Sequence, residues 1–124
     1  MSLLVVRAYL KLICLEIYLA RNDFSGLYEA VKNYPPQRHP SSSNSVDLVC
    51  RAVDIACVCY WKRVLCLQRS AATACLLKRF GIPAHMIIGT QQMPFRSHAW
   101  VEVDGRVVSD KPYMRDMYQV LAEC

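Results

Sequence analysis

The sequence predicts an α+β fold in which helices come first and a small antiparallel sheet follows. Two observations carry this. Through the N-terminal half, apolar residues recur at three- and four-residue steps, the period of a helix face. Beyond Phe80, short apolar or alternating runs are broken by turn residues, the pattern of strands and hairpins. Composition bounds the size: 124 residues, 54% hydrophobic and 20% charged, suit one packed domain and argue against disorder.

The first helix is expected over about Leu3 to Ala20. Leu3–Leu19 is apolar, but Arg7, Lys11 and Glu16 interrupt it, and charges inside so short a span oppose a transmembrane segment. No small-residue cleavage site follows, so it is not a secretory signal but an amphipathic or buried helix. A short second helix follows Asn22 or Asp23 as N-cap and ends near Tyr34, before Pro35-Pro36. Pro35–Asn44 is rich in Pro and Ser and is expected to be a mobile loop. The single domain, 1–124, is thus divided into an N-terminal helical pair (1–34), a mobile loop (35–45) and a catalytic core (46–124).

A third helix should start near Ser43 to Ser45. Val46, Val49, Cys50, Val53, Cys57, Tyr60, Trp61 and Val64 form its apolar face. The next helix opens at Cys66 and runs to Phe80. It stops at Gly81, a C′ glycine, with Pro83 just beyond. Ala84–Gly89 is expected as a buried strand and Thr90–Ser97 as a loop carrying Pro94. His98–Val103 and Arg106–Asp110 form a hairpin around Asp104-Gly105. Met114 to Leu121 is expected as a final helix.

The net charge is +5, with Lys and Arg scattered rather than gathered in a stripe among aromatics, so nucleic-acid binding is not expected. The seven cysteines are an odd number and several lie in helical apolar patterns. Free thiols in a reducing cytoplasm are the expectation. Cys57-x-Cys59 lacks the second cysteine pair that structural zinc normally uses, so neither metal nor cofactor is expected. Cys14, Cys50, Cys57 and Cys75 are expected in the core, and Cys124 is terminal.

Cys66 differs from these by its place. A helix N-terminus lowers a thiol's pKa, and a nearby imidazole lowers it further. The small residues Ser70, Ala71, Ala72 and Ala74 would let its helix pack closely on a sheet. Of the three histidines, His39 lies in the loop and His85 in an apolar strand, where packing is expected. His98 opens a strand and is the candidate base. Asp104 lies about 20 Å from His98 along an extended strand and cannot orient it, but makes a good turn residue.

Asp110 can reach His98 if the hairpin register allows. A two-residue turn at Asp104-Gly105 would pair Val103 with Arg106 and put His98 and Asp110 on opposite faces. A three-residue loop with Gly105 in the left-handed position would pair Glu102 with Arg106 and set His98 opposite Asp110. The second register is favoured, because it creates a cross-strand charge pair and brings the two Cβ atoms to about 5 Å. Cys66, His98 and Asp110 together have the layout of a cysteine acyl-transfer enzyme. The Cys66 N–H is the expected oxyanion donor, and a second donor could come from Tyr60, Trp61 or Lys62. Trp61 is otherwise expected as a core aromatic.

Cys66-Leu-Gln-Arg-Ser-Ala, Phe80-Gly-Ile-Pro-Ala, Ile88-Gly, Pro94-Phe, His98-Ala-Trp-Val-Glu-Val-Asp-Gly and Asp110 resemble the lasso-peptide leader peptidases. These are bacterial members of the transglutaminase-like superfamily of cysteine hydrolases. The likeness is strongest from about Trp61 to Asp110. It implies a papain/transglutaminase-like fold, with the sheet packed on the nucleophile helix, and the roles of nucleophile, base and acid for Cys66, His98 and Asp110. It also implies a peptidase that removes the leader from a ribosomal precursor peptide before an ATP-dependent cyclase closes the core. Too few residues precede Cys66 for a fused leader-recognition domain, so the stand-alone form is expected. That form takes leader recognition from a separate small protein, with the cyclase as a further partner. The Leu3–Leu19 helix and the Pro35–Asn44 loop are candidate docking surfaces. Two other readings remain open: another transglutaminase-like thiol hydrolase or amide-crosslinking transferase, and an inactive peptide-binding module.

Overall fold

The computed structural model describes residues 2–21, 23–34, 44–92, 94–108 and 110–124. Helices α1 (Ser2–Arg21), α2 (Phe24–Lys32), α3 (Asn44–Cys59) and α4 (Cys66–Arg79) precede strands β1 (Ala84–Gln92), β2 (Phe95–Val103) and β3 (Arg106–Val107). A single helical turn, α5 (Met114–Met117), leads into β4 (Gln119–Glu123). The sheet is antiparallel, with strand order β3-β2-β1-β4. The expected loop over residues 35–45, including His39, lies outside the described residues for 35–43, as does the alternative cap Asn22.

Local chemistry sets several boundaries. Asp23 caps α2 by accepting from the Gly26 N–H at 2.9 Å. Gly81 follows the Phe80 C-cap of α4 with φ of 78°. Its N–H donates to Lys78 O and that of Ile82 to Leu77 O, both at 3.0 Å, which is a Schellman ending. The small residues of α4 pack closely, as its composition predicts: Ser70, Ala71, Ala72 and Ala74 are all buried, in a helix buried on every side from Ser70 to Lys78. Gln68 fastens α4 to α1 by donating to Leu12 O at 2.8 Å. At the far end of α4, the buried Lys78 ammonium donates to Val31 O at 2.7 Å and Cys124 O at 3.1 Å, tying α2 and β4 together.

The sheet has two faces because its side chains alternate. Ala84, Met86, Ile88, Ala99, Val101 and Val103 face the helices and join the main core. Ile87, Trp100 and Met114 form a smaller cluster on the other face, covered by Val107, Tyr118 and Val120. Gly89 lies under that cluster. A Cβ there would sit 2.7 Å from Trp100 Cη2 and 2.8 Å from Tyr118 Cβ. Trp100 is fully buried and has nowhere to retreat. Gly89→Ala is therefore expected to cost about 1–3 kcal/mol by overpacking, read as a lower midpoint in denaturant.

Five expectations need correction. The hairpin has the other register: Val103 pairs with Arg106 and Glu102 with Val107. Asp104 and Gly105 both have positive φ, 51° and 78°, as a two-residue type I′ turn requires, and that turn matches the twist of the strands. The tail is not a helix over Met114–Leu121, because only one turn forms before β4 pairs with β1. Thr90–Ser97 is not a loop, since β1 continues to Gln92 and β2 begins at Phe95. Trp61 and Cys14 are exposed rather than core, since α3 ends at Cys59 and Cys14 lies on the outer face of α1. His85 is also exposed, on the far face of β1.

Candidate active site

Cys66 is the first residue of α4 and is half-buried. The preceding Leu65 is extended, with φ −79° and ψ 157°, and offers no side-chain cap. The first intrahelical bond is Arg69 N to Leu65 O at 3.0 Å. The N–H groups of Cys66, Leu67 and Gln68 thus have no acceptor within the helix, and their dipoles point at the space before it. An anion forming beside the Cys66 sulfur would meet them.

His98 Nε2 lies 2.6 Å from Asp110 Oδ2. A carboxylate only accepts, so this bond calls for a proton on Nε2 and leaves Nδ1 as the imidazole's basic nitrogen. The other Asp110 oxygen accepts from the Lys111 N–H at 2.8 Å, which fixes the carboxylate. Both side chains are about a quarter exposed, 26% each.

The observed register alone would put these residues on opposite faces. They meet because β3 stops at Val107. Among the described residues, the last backbone bond beyond it is Val108 N to Val101 O at 3.0 Å. Asp110 lies outside the ladder and turns back to His98.

The end of β3 also opens the edge of β2. The Val101 carbonyl points toward β3, so that of Ala99, two residues away, points to the same side. There it accepts from Ser70 Oγ at 2.9 Å. Ser70 is one turn into α4, so this bond ties that helix to β2 at the residue that follows His98. Within the trio, His98 and Asp110 touch, while Cys66 stands at the first position of α4.

Of the residues weighed as second oxyanion donors, Tyr60 is buried against the Tyr9 ring, with centroids 5.2 Å apart. Lys62 pairs with Glu16 at 2.6 Å. Trp61 is exposed. None of the three is thereby singled out. A cleft lined by Lys32, Tyr34, Lys78, Ile82, His85 and Glu123 opens at the C-terminal end of α4, about 20 Å from its start and unrelated to the trio. Among the described residues, no group of three or more His, Cys, Asp and Glu is placed to hold a metal ion. Among them also, no helix is long and apolar enough to cross a membrane.

Glu102 is a site residue that sequence reasoning misplaced. It is buried and does not pair with Arg106. Its Oε2 accepts from Trp100 Nε1 at 2.9 Å and Arg115 Nε at 2.8 Å, and its Oε1 from Arg115 Nη2 at 3.0 Å. Burial pushes this carboxyl up, but the bonds from Arg115 and Trp100 outweigh it and hold it below its ordinary value. The available signal was Trp100-x-Glu102: residues two apart on one strand share a face, so a glutamate beside a buried Trp needs an internal partner.

The chain as a whole is similar to known proteins. Over 58 residues, 47% of this chain and 28% of the relative, the sequence is 48% identical to the microcin J25-processing protein McjB of Escherichia coli. The match thus spans well under half of that relative's length. No solved structure matches. Residues 10–123 match a family described as the transglutaminase-like superfamily, and on that coverage the chain belongs to it.

Proposed function

We propose that this chain is a cysteine peptidase that cuts the leader from a ribosomally made lasso-peptide precursor. The observation that carries the reading is the bonded His98–Asp110 pair, with Cys66 opening the helix whose Ser70 bonds the carbonyl of the residue after His98. Membership of the transglutaminase-like superfamily and a relative named for the processing of microcin J25 support it.

In this reading Cys66 gives its proton to His98 Nδ1, and the thiolate attacks the carbonyl carbon at the leader–core junction. The oxyanion is met by the N–H groups at the start of α4. The protonated His98 passes its proton to the departing amine as the C–N bond breaks. His98 then takes a proton from water, whose hydroxide displaces the thiolate and frees the leader's carboxylic acid. Asp110 holds the imidazole with its proton on Nε2 throughout. The whole chain acts as one catalytic domain in a reducing cytoplasm. A separate small protein presents the leader, and a cyclase takes the freed core.

The test is mass spectrometry on the chain mixed with a precursor peptide and the leader-binding protein. Two fragments whose masses sum to the precursor plus one water are expected. A crosslinked product lighter by ammonia would favour the transferase reading instead. Binding of the intact peptide, with no covalent change, would favour a binding module.

A further inference from the structure

We propose that Tyr118 is a positioning residue for His98, and that Arg115 holds it in place through Glu102. The inference rests on His98 being the catalytic base. One hydrogen bond to Asp110 pins one edge of the imidazole and leaves the ring free to swing about that bond. Tyr118 removes this freedom. Its ring lies 5.5 Å from that of His98, with planes 19° apart. Trp100 adds a second near-parallel surface, 6.3 Å away at 23°, and itself meets Tyr118 at 6.0 Å. Offset stacking of this kind sets a ring's plane. Here the plane also decides where Nδ1 points.

The stack is assembled from two parts of the chain. His98 and Trp100 share a face of β2, while Tyr118 comes from the turn between α5 and β4. Tyr118 N donates to Met114 O at 3.0 Å, closing α5, and the next residues pair with β1 at Thr90 and Gly89. The pairing shifts between Ile88 and Gly89. Gly89 lacks the Cβ that would meet both Trp100 and Tyr118. Arg115, on the same turn as Met114, grips Glu102 with two nitrogens, and its Nη2 reaches Glu123 at 2.7 Å. Glu102 in turn receives the Trp100 N–H. The C-terminal turn is thus locked to β2 through the carboxylate that fixes the Trp100 ring.

The test follows the imidazole directly and then the thiol. Long-range proton–nitrogen spectra of the histidine rings are expected to show His98 as a single Nε2–H form in the wild-type chain. Tyr118→Phe keeps the ring and should give the same spectrum. Tyr118→Leu should give an exchange-averaged imidazole. Arg115→Met, which loosens the turn but leaves the ring, should move the spectrum the same way by less. In parallel, the iodoacetamide reaction of Cys66 is followed against pH by peptide mapping. Tyr118→Leu should slow it by about 10- to 100-fold near neutral pH, while Tyr118→Phe matches the wild type. If Tyr118→Leu does not fold, Arg115→Met carries both readouts. Wild-type spectra and pH profiles in the variants that fold would overturn the proposal. A Cys66 rate indifferent to His98→Ala would instead overturn the thiol–imidazole pairing. The spectra would still decide whether Tyr118 holds the ring.

Discussion

Cys66→Ala is expected to lower precursor cleavage by about 10⁴-fold or more, with the fold intact. Removing the nucleophile of a unit that acts together costs nearly all of its chemistry, and no other thiol is placed to replace it. Burial pushes the Cys50 thiol up to about 11, helped by Asp54 and Asp47, and pushes Cys124 up to about 11 against the pull of Lys78. Burial also raises Cys57 and Cys75. A thiol held protonated is a poor nucleophile. Cys14 and Cys59 are exposed, but neither opens a helix: Cys14 lies inside α1 and Cys59 ends α3. The check is cleavage by the purified variant together with site-mapped alkylation. Cys66 should label fastest in the wild type, and His98→Ala should remove that advantage. Undiminished cleavage by Cys66→Ala would show that another group attacks.

How far the sequence anticipates the structure depends on the range of the interaction. Asp23 and Gly81 act within a turn of themselves, so the start of α2 and the end of α4 are legible from local chemistry. The close packing of α4 is legible from its small residues. The hairpin register was not, because Asp104-Gly105 suits both loop types and the choice rested on pairing Glu102 with Arg106 and on setting His98 opposite Asp110. That charge argument assumed both side chains faced solvent. Glu102 instead shares the buried face of Trp100 and finds Arg115 thirteen residues on, across a turn the sequence does not announce. The meeting of His98 and Asp110 was anticipated for the wrong reason. Reach decided it correctly, whereas the predicted facing pair was replaced by a strand that ends early. The tail misled because Tyr118-Gln-Val-Leu-Ala also fits a strand, with Tyr118 and Val120 inward and Leu121 out. His85 looked packed because its neighbours Ala84 and Met86 are core, yet alternation puts it on the opposite side.

Trp100→Ala is expected to destabilise the fold by about 3–5 kcal/mol, the largest loss of any single side chain on that face. Trp100 is fully buried and packs against Ile87 and Met114. Its removal leaves a cavity under His98 and takes a donor from Glu102. Trp100→Phe separates the two contributions. It keeps most of the volume and deletes the N–H, so the added cost over wild type should be nearer 1–3 kcal/mol. The hydrogen-bond share has a signature in pH. The folded pKa of Glu102 is depressed below the ordinary 4.5, so the bonded carboxylate adds stability above that value. The gain is lost as pH falls through the depressed folded value. The gap between wild type and Trp100→Phe should therefore be widest at neutral pH and narrow in acid, as read from denaturant midpoints across the range. A gap that stays constant would assign the whole effect to packing. A gap that widens in acid would mean that the Trp100 N–H favours the protonated carboxyl, opposite to the ion pair with Arg115 that the geometry supports.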